Sequence, residues 1–192
     1  MEVIGTVVRL QVQRSRLKPG ERGHRVYDPS PLLDVPALQV GPRGVVGQSA
    51  GRPVLDVHHA DHPDSRNVKL ANGLSLLPRS HYARMGRTYG PHLVEGVAGE
   101  SLLLDTEGSW TFADLAGPLH LESADGGLLA LVDPAVASPC VEFSRFCLGR
   151  GVGPVDDEVQ QAMADLDDGV RGFYVRADGS AWIERGARLF RG

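Results

Sequence analysis

Ile4-Gly5-Thr6-Val7-Val8-Arg9-Leu10-Gln11-Val12-Gln13 sets Ile4, Thr6, Val8, Leu10 and Val12 against Gly5, Val7, Arg9, Gln11 and Gln13. A period of two is the signature of a strand with one buried face, so this stretch is expected to anchor a sheet or barrel. The composition around it agrees: 24 Gly and 13 Pro, few aromatics and short apolar runs favour many brief strands joined by turns over a helical bundle. The expected class is mainly β.

Moving outward, Lys18-Pro19-Gly20 and Asp28-Pro29-Ser30-Pro31 break the chain, and residues 13–36 read as largely loop. Ala37 to Val40 is a short second strand before the glycine-rich Gly41-Pro42-Arg43-Gly44-Val45-Val46-Gly47. Leu76 to Tyr89 reads as a helix, with Leu77, Tyr82, Met85 and Tyr89 mainly on one side, Pro78 near its first turn and Gly90-Pro91 as its stop. Leu102–Leu104, Trp110–Phe112 and Leu119–Leu121 read as short strands, and Leu128 to Val132 as another after Asp125-Gly126-Gly127. Val155, Val159, Ala162, Met163 and Leu166 recur at helical spacing before Gly169. Val170–Val175 and Ala181–Ile183 flank Asp178-Gly179, a hairpin signal.

A chain of 192 residues without a repeat, a low-complexity tract or a shift in composition is expected to form one domain, residues 1–192. With 20 basic and 24 acidic residues it has no general attraction for nucleic acid or anionic lipid. No segment has the length of a membrane span. Two cysteines and a start, Met1-Glu2-Val3-Ile4-Gly5, unlike a secretory leader point to the cytoplasm.

Ser138-Pro139-Cys140-Val141-Glu142-Phe143-Ser144-Arg145-Phe146-Cys147 carries the chemistry. Ser suits an N-cap and Pro the first helical position, which puts Cys140 at the second, where unpaired amides favour a thiolate. Arg145 adds positive charge about a turn further on. Such a thiolate can attack, carry sulfur or bind a soft metal; the alternative is a small buried residue. Cys147, seven residues on, is too far along a shared helix for a disulfide and is expected to face the core with Phe143.

A second polar cluster, Asp56-Val57-His58-His59-Ala60-Asp61-His62-Pro63-Asp64-Ser65-Arg66-Asn67, holds three of the seven histidines. Its spacing matches no closed zinc pattern, and a His/Asp-rich turn often caps its own backbone. It can also supply donors to an anion, with imidazoles moving protons and with Arg79 and His81 at the start of the next helix. Gly96-Val97-Ala98-Gly99-Glu100-Ser101 is a glycine-spaced turn with neither a Walker lysine nor a dinucleotide fingerprint.

The order of these pieces resembles the MOSC family, named for the C-terminal domain of molybdenum-cofactor sulfurase. The pieces are Gly5-Thr6-Val7-Val8, Gly44-Val45-Val46-Gly47, the His58–Asn67 loop, Gly96–Glu100, Pro139-Cys140 and Gly172-Phe173-Tyr174-Val175 with Gly179 and Gly186. The resemblance implies a MOSC-type β-barrel with a few peripheral α-helices and one key cysteine, here Cys140. It implies that Cys140 binds the molybdenum of a pterin cofactor (molybdopterin), or else carries sulfur, and that some members reduce N-hydroxylated substrates. On that basis Cys140 is the expected metal ligand and catalytic residue, His59 the proton source, and His58, Arg66, Asn67, Arg79, Glu100 and Arg145 the cofactor-binding set. A small-molecule substrate and a redox or sulfur-donor protein partner follow. The chain departs from the family at Gln48, where relatives often have an acid, at Ser101 in place of Asn, and in Ala135–Ser138, which lacks the basic residue that often precedes Pro-Cys. Two alternatives stay open: a non-catalytic sulfur or cofactor carrier, and a ligand-binding module that has lost the chemistry.

Overall fold

Strand β1 (Glu2–Gln13) forms where the alternation predicts it, but its phase changes midway. Val7, Leu10 and Val12 are all inside, and Val8 instead packs on the outer layer. The cause is a register shift between Val7 and Arg9 against the neighbouring strand, an extra residue that swaps the two faces. A strict period-two reading cannot survive a bulge.

The structure, a computed structural model, describes residues 1–21 and 23–192. After β1 come β2 (Leu32–Asp34), β3 (Ala37–Gly41), β4 (Gly44–Ser49), β5 (Arg52–Leu55), β6 (Leu74–Pro78), helix α1 (Arg79–Tyr89) and β7 (Leu102–Asp105). Then follow β8 (Leu119–Glu122), β9 (Leu128–Val136), α2 (Val141–Cys147), α3 (Asp157–Asp165), β10 (Phe173–Asp178), β11 (Ala181–Glu184) and β12 (Arg188–Arg191). Strands β12, β8, β9, β10, β6, β7 and β1 pair in that order, and β1 pairs back onto β12, which closes a seven-stranded barrel. Only β6 and β7 run parallel in it, joined through α1. Strands β11, β3, β4 and β5 form a second, four-stranded sheet.

Leu102 and Leu104 point into the barrel while Leu103 points out, and all three are buried. That is why the run is apolar on both faces: the barrel core lies behind it and a helical layer in front. The barrel core also takes in Leu38, Val40 and Val45 of the small sheet, so the two sheets share one interior. In the outer layer Leu77 and Leu103 meet Tyr82 and Met85 of α1, Phe143 and Cys147 of α2, and Leu166 and Val170.

Several local expectations change. Leu76 and Leu77 belong to β6, and the helix starts only after Pro78, whose fixed φ of −65° serves as its N-cap. Trp110–Phe112 is not a strand: the Thr111 amide and hydroxyl both donate to Asp114, which caps a short 3-10 turn from Phe112 to Leu115. Asp178-Gly179 does not close a hairpin. Both edges of β10 are taken by β9 and β6, so β11 must cross to β3 in the other sheet. The glycine-rich Gly44–Gly47 is the body of β4, entered at Gly44 with φ 116°. The described residues of 14–36 are largely irregular, as expected, apart from β2.

Candidate functional site

A cavity of about 370 Å³ opens at the barrel mouth, where the end of β1 (Gln13), the start of β6 (Ser75, Leu76), Gly99-Glu100 before β7, Ala137 after β9 and Gly172-Phe173 at β10 converge. The 13–31 and 56–72 loops wall it. Cys140 and Arg171 both line it.

Cys140 is half-buried. It is itself the N-cap of α2, with extended φ −123° and ψ 154°, rather than the second helical residue that Ser138-Pro139 implied. Its carbonyl accepts the Ser144 amide at 3.0 Å, so the helix begins two residues later than a proline-first start would place it. Cys147 is fully buried and free, and burial pushes its thiol up to about 12, so it is an inert core residue as expected.

Arg171, which no local motif marks, shares the cavity lining with Cys140. Half-buried, it stacks its guanidinium 4.3 Å from the centroid of the Phe143 ring. Burial opposes its charge, but neighbouring Tyr27, Tyr174, Cys140 and Tyr82 favour it, so it stays protonated. Among the described residues no carboxylate pairs with it within 4 Å. Arg16, Lys18, Arg25 and Arg66 line the same cavity, against only two carboxylates, Asp64 and Glu100. In a chain of net charge −4 this is a local reversal of sign.

The His/Asp cluster divides. His58 and Asn67 line the cavity with Arg66. Buried Asp56 accepts the Gln13 amide at 2.6 Å and the His58 amide at 2.8 Å, and its Oδ1 lies 2.9 Å from His58 Nδ1. This holds the imidazole by one nitrogen and leaves Nε2 for the cavity. Asn67 is buried and ties its own loop together, donating to the His58 carbonyl at 3.0 Å and accepting the Asn72 amide at 3.1 Å. His59 lies outside the cavity lining. Its Nδ1 accepts the Asp61 amide at 3.2 Å, and burial holds its pKa below the ordinary histidine range. His62 caps the Asp64 amide in the same way at 3.1 Å.

Arg79 and Arg145 are also outside the lining. Arg79 pairs with Glu95 at 2.7 Å, and Arg145 donates to the Gly153 carbonyl. His81 is buried between the Val170 carbonyl, 3.2 Å from Nδ1, and the Trp110 amide, which donates to Nε2 at 3.0 Å. Desolvation lowers its pKa, so it is a neutral core strut rather than an anion ligand.

Glu100 belongs to the cavity lining. It is 3% exposed; its Oε2 accepts the Tyr82 hydroxyl at 2.8 Å, and Tyr82 in turn accepts the Ala98 amide at 2.9 Å. Oε1 is buried without a hydrogen-bond partner. Burial raises the carboxyl from 4.5 to about 7.

Among the described residues no group of three His, Cys, Asp or Glu side chains converges to hold a metal ion. A metal at Cys140 would have to arrive with its other ligands. The donor set suits such a group in anionic form: one thiol, five basic side chains and an unsatisfied carboxylate oxygen.

Neither a family profile nor a curated protein sequence matches the chain. Solved structures do. The YUAD protein from Bacillus subtilis superposes with a TM-score of 0.57 at 9% identity, covering 96% of this chain and 93% of that one. YiiM from Geobacillus stearothermophilus gives 0.54 at 18%, covering 98% and 75%, and YiiM from Escherichia coli gives 0.52 at 15%, covering 100% and 70%. The fold is a MOSC-type β-barrel. No described helix is long and apolar enough to cross a membrane.

Proposed function

We propose that the barrel-mouth cavity binds an anionic pterin cofactor of the molybdopterin class through Cys140, and that the protein reduces a small N-hydroxylated substrate there. The observation that carries this is a half-buried cysteine sharing a polar cavity with Arg171 and four more basic side chains. When bound, such a cofactor supplies two-electron redox chemistry at its metal, fed by an external reductant. The Cys140 Sγ is the protein's soft ligand, and Arg171, with Lys18, Arg25 and Arg66, would neutralise the cofactor's anionic group. Removing oxygen from nitrogen as water needs protons, and these come from groups that line the cavity. His58, held by Asp56, takes the role first expected of His59, since only His58 belongs to the lining.

Elemental analysis and pterin fluorescence of protein purified from a cofactor-competent host test the reading. About one molybdenum and one pterin per chain are expected, both lost in Cys140→Ala. Wild-type protein free of both would end it. A labile extra sulfur on the Cys140 peptide, found by mass spectrometry of metal-free protein, would instead establish sulfur carriage. A retained module without chemistry is disfavoured by the open, cationic character of the cavity, where such a module would close an apolar pocket over the cysteine.

A further inference from the structure

A second concavity lies at the end of the barrel away from Cys140. This groove, of about 730 Å³, is bounded by the turn between β8 and β9, the turn between β10 and β11, and β11 itself. Strand β9 starts in it at Leu128 and ends at Val136, beside the cavity's Ala137, so roughly 25 Å of strand separates the two sites. Trp182 stands where the alternation of β11 calls for a polar residue. Ile183 points into the shared core, while Trp182 and Glu184 face out, and the register partner of Trp182 on β3 is the exposed Gln39. The indole is 39% exposed and Leu128 is 47% exposed. Single exposed apolar side chains need no explanation, but here a Trp and a Leu share one concave surface. The charge around them has one sign: Asp125, Asp178 and Glu184 line the groove, no lysine or arginine does, and none of the three carboxylates makes an ion pair among the described residues.

We propose that this groove docks a basic segment of another protein, an extended stretch whose apolar side chain covers Trp182 and Leu128 while flanking lysines or arginines meet Asp125, Asp178 and Glu184. An aromatic anchor inside a charged rim is the arrangement of a binding hot spot, and the rim's sign selects the partner. The same sign argues against a second copy of this chain, because a two-fold axis through the groove would set the three carboxylates against themselves. A partner held here leaves the cavity mouth open, so the groove is an anchoring surface independent of what the cavity binds.

Three fluorescein-labelled peptides test this by anisotropy against the full chain: Gly-Lys-Leu-Lys-Val-Lys, the same peptide with serine for its leucine and valine, and the same with glutamate for its lysines. The first is expected to bind saturably with a Kd below about 1 mM, and each of the others at least about tenfold more weakly. Trp182→Ala should weaken the first peptide by about tenfold or more. Asp178→Asn combined with Glu184→Gln, at two exposed positions, should weaken it several-fold and flatten its salt dependence. The proposal is overturned by the absence of saturable binding, by equal binding of the serine peptide, which would reveal only a diffuse field, by equal binding of the glutamate peptide, or by affinity unchanged in folded Trp182→Ala. Sedimentation of the wild type as a dimer that Trp182→Ala returns to monomers would make the occupant a second copy and overturn it equally. The peptide comparison on wild-type protein needs no variant, and if one variant does not fold the other decides.

Discussion

Glu100 carries an unfavourable group for the sake of its position, and pH exposes it. Its carboxyl has a pKa of about 7 in the folded protein against 4.5 when exposed, so between these values the folded state binds more protons than the unfolded one. Stability from this group is therefore full below pH 4.5, falls as pH rises, and is lost above 7, a change of roughly 3 kcal/mol. Neutral buried histidines such as His81, whose pKa is lowered, act in the opposite sense: stability rises as pH climbs to 6.5. Urea unfolding at pH 5 and pH 8 on wild type and Glu100→Gln isolates the carboxyl. The variant is expected to gain stability relative to wild type at pH 8 and much less at pH 5. At this same scale the sequence was half legible. Cys140 stood out through Pro139, and Glu100 through its glycine turn, whereas Arg171 sits in Val170-Arg171-Gly172 with nothing local to mark it. Its guanidinium stacks over Phe143, on the helix that Cys140 caps, and only the folded chain puts both residues in one cavity lining.

At the scale of elements, the turn that delivers Arg171 to the cavity depends on Gly172. Its φ is 111°, and a Cβ there would lie 2.8 Å from the Leu76 carbonyl oxygen, a backbone atom that cannot move aside while β6 and β10 stay paired. Gly172→Ala should thus lose more than about 2 kcal/mol of stability by chemical denaturation. A drop within the range of ordinary surface substitutions would show that the turn relaxes freely. The elements that sequence periodicity located well are those with unbroken patterns, such as β7 with its triple leucine and α3 behind its Asp156 cap. Those misjudged were decided by nonlocal pairing: Leu76-Leu77 is strand because β7 and β10 flank it, and β11 leaves the Asp178-Gly179 turn because no free edge awaits it. No local signal encodes the occupancy of an edge.

For the whole molecule, the small sheet lends Leu38, Val40 and Val45 to the barrel interior. A shared core couples the two sheets, so far-ultraviolet circular dichroism and tryptophan fluorescence should report one coincident unfolding transition; separated midpoints would mean two folding units. The charge distribution is equally global. An acidic chain with a basic cavity draws anions by contrast with its own surface, and at the barrel mouth the exposed part of that field is screened by salt. The affinity of the protein for pterin-6-carboxylate, an anionic probe of this cavity, is expected to fall several-fold between about 20 mM and 500 mM sodium chloride, in Arg171→Met less steeply.

β12 joins β1 to β8, and it is encoded after every strand it joins. Until it emerges from the ribosome, the growing polypeptide holds an unzipped cylinder with two bare hydrogen-bonding margins, a state open to mispairing with neighbouring nascent chains. The four residues from Arg188 to Arg191 thus act as a latch: every other strand of the barrel must be made before the vessel for the ligand exists at all.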